Sequence, residues 1–183
     1  CGFVSVKNSS HFGYCGYWSM KAMKNGYIGF SMTNGGRRGT ATYGIDPLFG
    51  TNPFSVGIPG GPDGHDFHLD MATSIVAVGK IETALREGRE VPKGWVPRSY
   101  GSPKLNERSI LTHDVPVLPL GGEGMEGGGH KGYGLSLMVE LLCSILSGGS
   151  LEDRIAGAAG EARPNTGHFF GAIKVEGFRD KAS

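Results

Sequence analysis

The densest concentration of potential chemistry in the chain is GGEGMEGGGHKGYG, residues 121–134. Gly122, Gly124 and Gly127 spell G-x-G-x-x-G. That spacing can bring backbone against a pyrophosphate, but the dinucleotide fingerprint also needs a preceding strand, a helix opening at its third glycine and an acidic residue about 20 positions on. Here VPVLPL carries two prolines, the helical pattern begins after His130-Lys131, and Asp153 follows without strand character. A P-loop requires G-K-[ST], whereas Lys131 stands between His130 and Gly132. Neither template fits. What survives is a glycine run that delivers His130, Lys131 and Gly132 to the start of a helix. Free N–H groups and the helix dipole make such a terminus an anion site, and Lys131 adds a full charge. The competing reading is a solvated lysine beside a helix cap, and spacing alone leaves both open.

His11 in NSSHFG lies at a strand-to-helix junction. An imidazole there can exchange a proton with a substrate oxygen, or it can pack or cap. Ser9, Ser10 and His11 make no hydrolase signature, since no G-x-S-x-G elbow is present. Asp70 closes HDFHLDM just before Met71-Ala72-Thr73-Ser74, where it can cap a helix or accept a ribose hydroxyl. His65 and His68 point to opposite strand faces, and Asp66, His68 and Asp70 share a face without a supporting ligand cluster, so metal is not expected.

The elements that must position these residues read as follows. FVSVKNSS (3–10) alternates as a strand, and a helix spans about 13–24, stopped by Asn25-Gly26. YIGFSMTN (27–34), FSVGIP (54–59) and HDFHLDM (65–71) return as strands, the last with Phe67, Leu69 and Met71 on one face. Residues 72–88 turn helical, with Ile75, Val78, Ile81 and Leu85 on one stripe and Gly88 as the stop. Residues 89–120 are mostly loop, punctuated by five prolines. Leu135, Met138, Val139, Leu142, Ile145 and Leu146 mark the strongest helix, expected to be buried and to end at Gly148-Gly149. GHFFGAIKVEGF (167–178) is a last strand. Without regular βαβ alternation the expectation is α+β, a mixed, largely antiparallel sheet with packed helices.

Composition bounds the rest. The length, 183 residues, suits one domain. Glycine supplies 33 residues, against a usual share of about 7 per cent, without a short period. This points to close backbone approaches. Lys and Arg number 18 against 17 Asp and Glu, with no basic run, so nucleic acid is not the expected partner. Three cysteines without C-x-x-C suit a reducing, cytoplasmic compartment. GLSLMVELLCSILSG is too short to span a membrane and carries Glu140, and no secretory leader is visible.

Five ordered segments carry a resemblance: NSSHFG (8–13), FSMTN (30–34), PLFGTNP (47–53), LDMATSIVAVGKI (69–81) and PLGG…GGHKGYGLSLMVELL (119–142). Together they resemble the malate/L-lactate dehydrogenase family of NAD(P)-dependent oxidoreductases. That family is of a non-Rossmann type and also includes ureidoglycolate dehydrogenase, diketogulonate reductase and imino-acid reductases. The resemblance implies a cofactor, NAD or NADP, along Asp70, Met71, Ala72, Thr73 and Ser74 and at His130, Lys131 and Gly132, with Asn34 nearby. It implies a further cofactor loop at PNTGHFF (164–170), with Asn165 and Gly167, a substrate contact at Thr51 and an active-site role for His11. The substrate would be a small 2-hydroxy or 2-oxo acid, malate or L-lactate first, and the protein a homodimer. The family's Ser-His-Gly motif, with a catalytic His and a carboxylate-gripping Arg, is not found in these residues. The chain therefore reads as one cofactor-binding domain, 1–183, cut from a longer protein. In some members the upstream His is the proton donor, in others the His matching His11. The rival reading is a non-catalytic nucleotide-binding fragment or degenerate paralogue.

Overall fold

The computed structural model describes residues 1–61, 63–100, 115–149 and 166–178. A five-stranded sheet forms its centre. Its strands are β1 (Gly2–Ser9), β2 (Tyr27–Thr33), β5 (Phe54–Ile58), β6 (Phe67–Met71) and β7 (Thr166–Lys174). They lie in the order β1-β7-β2-β5-β6, and every pairing is antiparallel. A small ribbon joins β3 (Gly39–Thr40) to β4 (Pro47–Phe49). The expected mixture of helices and an antiparallel sheet is what the molecule has.

Helix α1 (Gly16–Met23) lies on one face of the sheet. That face is built of small residues, Gly29 and Ser31 on β2 and Ser55 and Gly57 on β5, which lets the helix come close. A Cβ at Gly29 would run into the Ser19 carbonyl and sit 2.8 Å from the Ala22 side chain. The Ser19 and Ser55 hydroxyls meet at 2.7 Å, satisfying each other where water is excluded. A second helix, α2, spans Val78–Arg86. Helix α3 (Gly129–Glu140), continued by one π turn over Leu141–Ile145, covers the other face. Met32, Val139 and Cys143 are buried there, with Phe54, Leu142 and Phe169 packed around them.

Three expectations shift. Helix α2 begins at Val78, so residues 72–77 are not helical. Their backbone is taken by distant partners: Thr73 N–H goes to the Thr51 carbonyl, Ile75 N–H to Leu118, and the Thr73 carbonyl accepts from Leu120. Helix α3 starts at Gly129, so His130 and Lys131 lie inside its first turn rather than before it. It is buried on one side only, leaving Met138, Leu141, Ile145 and Leu146 exposed. No helix among the described residues is long and apolar enough to cross a membrane.

The loop expected over 89–120 does more than connect. Val91, Val96, Val115 and Val117 build a core with Val76 and Ile81. Ile81 is fully buried there. Ile81→Ala is expected to cost about 2–5 kcal/mol, read as a lower denaturant midpoint at unchanged slope. A loss under about 1 kcal/mol would mean that this cluster does not support the fold.

Candidate functional site

The glycine turn is backbone packed on backbone. Gly121, Gly122, Gly124 and Gly128 all have positive φ, which non-glycine residues rarely adopt. A Cβ at Gly129 would collide with the Gly122 carbonyl and lie 2.8 Å from that of Gly124. Gly132 leans equally hard on the Leu120 backbone. Leu120 is bonded in turn to Thr73, and Val117 to Arg38 and Thr40. The first turn of α3 is thereby seated against Leu120, which Thr73 of the LDMATS segment holds in turn. The N-cap residue of α3 is Gly128, which has no side chain to cap it, and no acidic residue stands in the first turn of the helix. His130 and Lys131 are exposed there. The positive helix end is left without a protein counter-charge in that turn, the arrangement that receives phosphate or carboxylate.

Other candidate residues are placed as follows. Asp70 does not cap the helix that follows it. Its carboxylate accepts the Gly16 N–H at 2.8 Å and so caps α1, 54 positions away in sequence. Thr73 is buried, its hydroxyl shared between the Thr51 and Asn52 carbonyls at 3.0 and 3.1 Å. Ser74 is buried with its hydroxyl on the Val76 carbonyl. Thr51, Met71 and Ala72 are half-buried beside them. Asn34 is buried, its side-chain carbonyl accepting the Gly167 N–H at 2.8 Å. Asn165 lies outside the described residues.

His11 is exposed at the β1–α1 junction. Its Nδ1 accepts the Gly13 N–H at 3.1 Å. An accepting nitrogen is unprotonated, so the ring proton of the neutral imidazole sits on Nε2. Beneath this junction lies His168, which sequence spacing does not single out. It is buried, its ring stacked on Phe12 at 4.3 Å between centroids. Its Nε2 is 3.1 Å from the Ser10 carbonyl and must donate, and Nδ1 meets the Thr33 hydroxyl at 2.8 Å. His168 thus holds the turn that carries His11.

Burial lowers the proton affinity of His168 below the usual 6.5, and nearby His11 lowers it further. The unfolded chain then binds more protons than the folded one on acidification. The contribution of His168 to stability is whole above pH 6.5 and is lost as pH falls through its folded value. Thermal midpoints at about pH 7.5 and 5.5 check this. His168→Gln should show a smaller drop between them than the parent, and an equal drop would refute it.

The buried cysteines offer no nucleophile. Burial pushes the Cys15 and Cys143 thiols up to about 12. Cys15 donates to the Ser31 carbonyl.

Two further features are not legible in the sequence. Glu140 is fully buried, held by Asn34 and Asn52. In sequence it shows only as a charge within an apolar stretch. A cavity of about 790 Å³ opens between the 91–98 loop and the glycine turn, lined by Lys93, Val96, Arg98, Gly121, Glu123 and Gly127 among others. It abuts the α3 terminus through Gly121 and Gly127.

A family model described as malate/L-lactate dehydrogenase matches residues 1–183. The malate dehydrogenase of Pyrococcus abyssi is 44% identical over 177 residues, covering 97% of this chain and 48% of that protein. The L-sulfolactate dehydrogenase of Methanocaldococcus jannaschii is 35% identical over 181 residues, covering 98% of this chain and 49% of that protein. The crystal structure of malate dehydrogenase from Entamoeba histolytica superposes with a TM-score of 0.83 at 38% identity, covering 99% of this chain and 51% of that one. The chain spans about half the length of the curated relatives it matches.

Proposed function

The chain belongs to the malate/L-lactate dehydrogenase family, and on that footing we propose that it is the cofactor-binding domain of an NAD(P)-dependent oxidoreductase acting on a small 2-hydroxy or 2-oxo acid. The observation that carries the reading is the first turn of α3. Its N-cap residue is a glycine with no capping side chain, it has no acidic residue in that turn, and it presents Lys131. The residues present fit a dinucleotide phosphate. Lys131 and the α3 N–H groups would hold it, and the adjoining cavity lies within the ~300–1,000 Å³ of small-molecule sites, large enough for one nucleoside. The antiparallel strand order supports a non-Rossmann mode of binding.

When bound, a nicotinamide dinucleotide supplies or accepts the hydride. This chain's own residues position and exchange protons. His11, with Nδ1 engaged by Gly13, offers its Nε2–H to a substrate oxygen, and Thr51 is the proposed substrate contact. Malate or L-lactate leads as substrate, with sulfolactate and cyclic imino acids as the alternatives within the family. A homodimer is the proposed assembly of the complete gene product.

Lys131→Ala in that product tests the reading. Losing a charge-assisted hydrogen bond of about 1.5–3 kcal/mol should weaken cofactor binding roughly 10- to 150-fold by fluorescence titration. Unchanged affinity would sink the assignment. A parent protein that binds NADH but turns over none of these acids would favour the non-catalytic reading.

A further inference from the structure

We propose that Glu140 is a positioning residue for the dinucleotide site, its buried carboxylate tying the Asn34 and Thr51-Asn52 loops to the helix that presents His130 and Lys131. This rests on the reading of that helix terminus as the cofactor site. Glu140 ends α3, nine residues or about 13 Å from Lys131. It therefore acts through other residues.

The route is continuous. Asn34 Nδ2 donates to one carboxylate oxygen at 3.1 Å, and Asn52 Nδ2 donates to the other at 3.0 Å. Asn52 also donates to the Ser136 carbonyl on α3, at 3.0 Å. Its φ is +37°, a left-handed conformation that asparagine tolerates better than most residues. The Asn52 carbonyl receives the Thr73 hydroxyl, and the Thr73 carbonyl receives the N–H of Leu120, which leads into the glycine turn. On the other side Asn34 carries the connection to Gly167. Asn34 and Asn52 are 2% and 0% exposed, so their amides act on the protein rather than on solvent.

The polarity of these contacts makes the idea separable from mere packing. Both carboxylate oxygens accept. Glu140→Gln keeps the shape but turns an NH2 group toward one of the asparagine NH2 groups, donor against donor. Asn34→Asp alone sets a second carboxylate against the first in a buried space. The two changes together restore a pattern. The introduced aspartate would accept from both the Gly167 N–H and the introduced glutamine amide, whose own carbonyl would stay with Asn52.

In the complete gene product, the dissociation constant for NADH, kcat/KM and the thermal midpoint would be measured for the parent, both single variants and the double variant. Glu140→Gln should weaken NADH binding about 10- to 100-fold, and Asn34→Asp at least as much. The double variant should return to within about threefold of the parent. A lowered midpoint with unchanged NADH affinity in the single variants would make Glu140 merely structural and overturn the proposal. So would a double variant no better than the worse single. If Glu140→Gln does not fold, a folded, NADH-binding double variant supports the proposal and an unfolded one overturns it. A parent that binds neither NADH nor NADPH removes the cofactor reading and this inference with it. A parent that binds, beside variants that bind equally, removes only the inference.

Discussion

Gly129→Ala is expected to unfold the protein or displace α3, while Gly134→Ala on the same helix stabilises it. Alanine is favoured over glycine inside a helix by about 0.8–1 kcal/mol, so propensity alone predicts a gain at both. Sterics reverse the sign at Gly129. Its Cβ would collide with the Gly122 carbonyl oxygen and sit 2.8 Å from that of Gly124. Both obstacles are backbone, in a turn whose own glycines hold positive φ and cannot swing aside like a side-chain tip. Relief would require the turn to detach from α3. A penalty above about 4 kcal/mol follows, among the largest a single substitution produces. At Gly134 nothing lies within 4 Å of the added carbon. Urea unfolding of both variants beside the parent decides it. A Gly129→Ala protein within about 1 kcal/mol of the parent would mean that the turn and helix are not locked as described.

That lock explains what can be read from sequence and what cannot. Strands β1, β2 and β5, helix α1 and the glycine turn are legible because their signals are local: alternation, a stop at Asn25-Gly26, a glycine cluster before an apolar run. Residues 72–77 read as helix because their apolar spacing is helical, yet their hydrogen bonds go to residues near 51 and 118. The Val115 and Val117 core is invisible in the sequence because prolines hide any period. Asp70 looks like the cap of the next helix and is the cap of an earlier one. The Asn52–Glu140 contact spans 88 positions and the Ser9–His168 contact 159. No spacing rule reaches that far. The resemblance points to Asn34 and Gly167, and the structure bonds them to each other.

His11→Asn is expected to lower turnover in the complete gene product by about 100- to 10,000-fold, the usual worth of a positioned proton donor or acceptor. Cofactor affinity should hardly change, because the proposed phosphate contacts lie on α3. Asparagine is chosen because its side-chain oxygen can accept the Gly13 N–H as Nδ1 does now, keeping the turn. What it lacks is the Nε2 proton. The ring is exposed, so little packing is lost with it. The underlying turn remains held from below by His168 and Phe12. A catalytic loss should therefore arrive without a comparable loss of thermal stability. Normal turnover with a lowered thermal midpoint would reverse the assignment and make His11 a structural residue. Proton exchange with the substrate oxygen would then fall to another group.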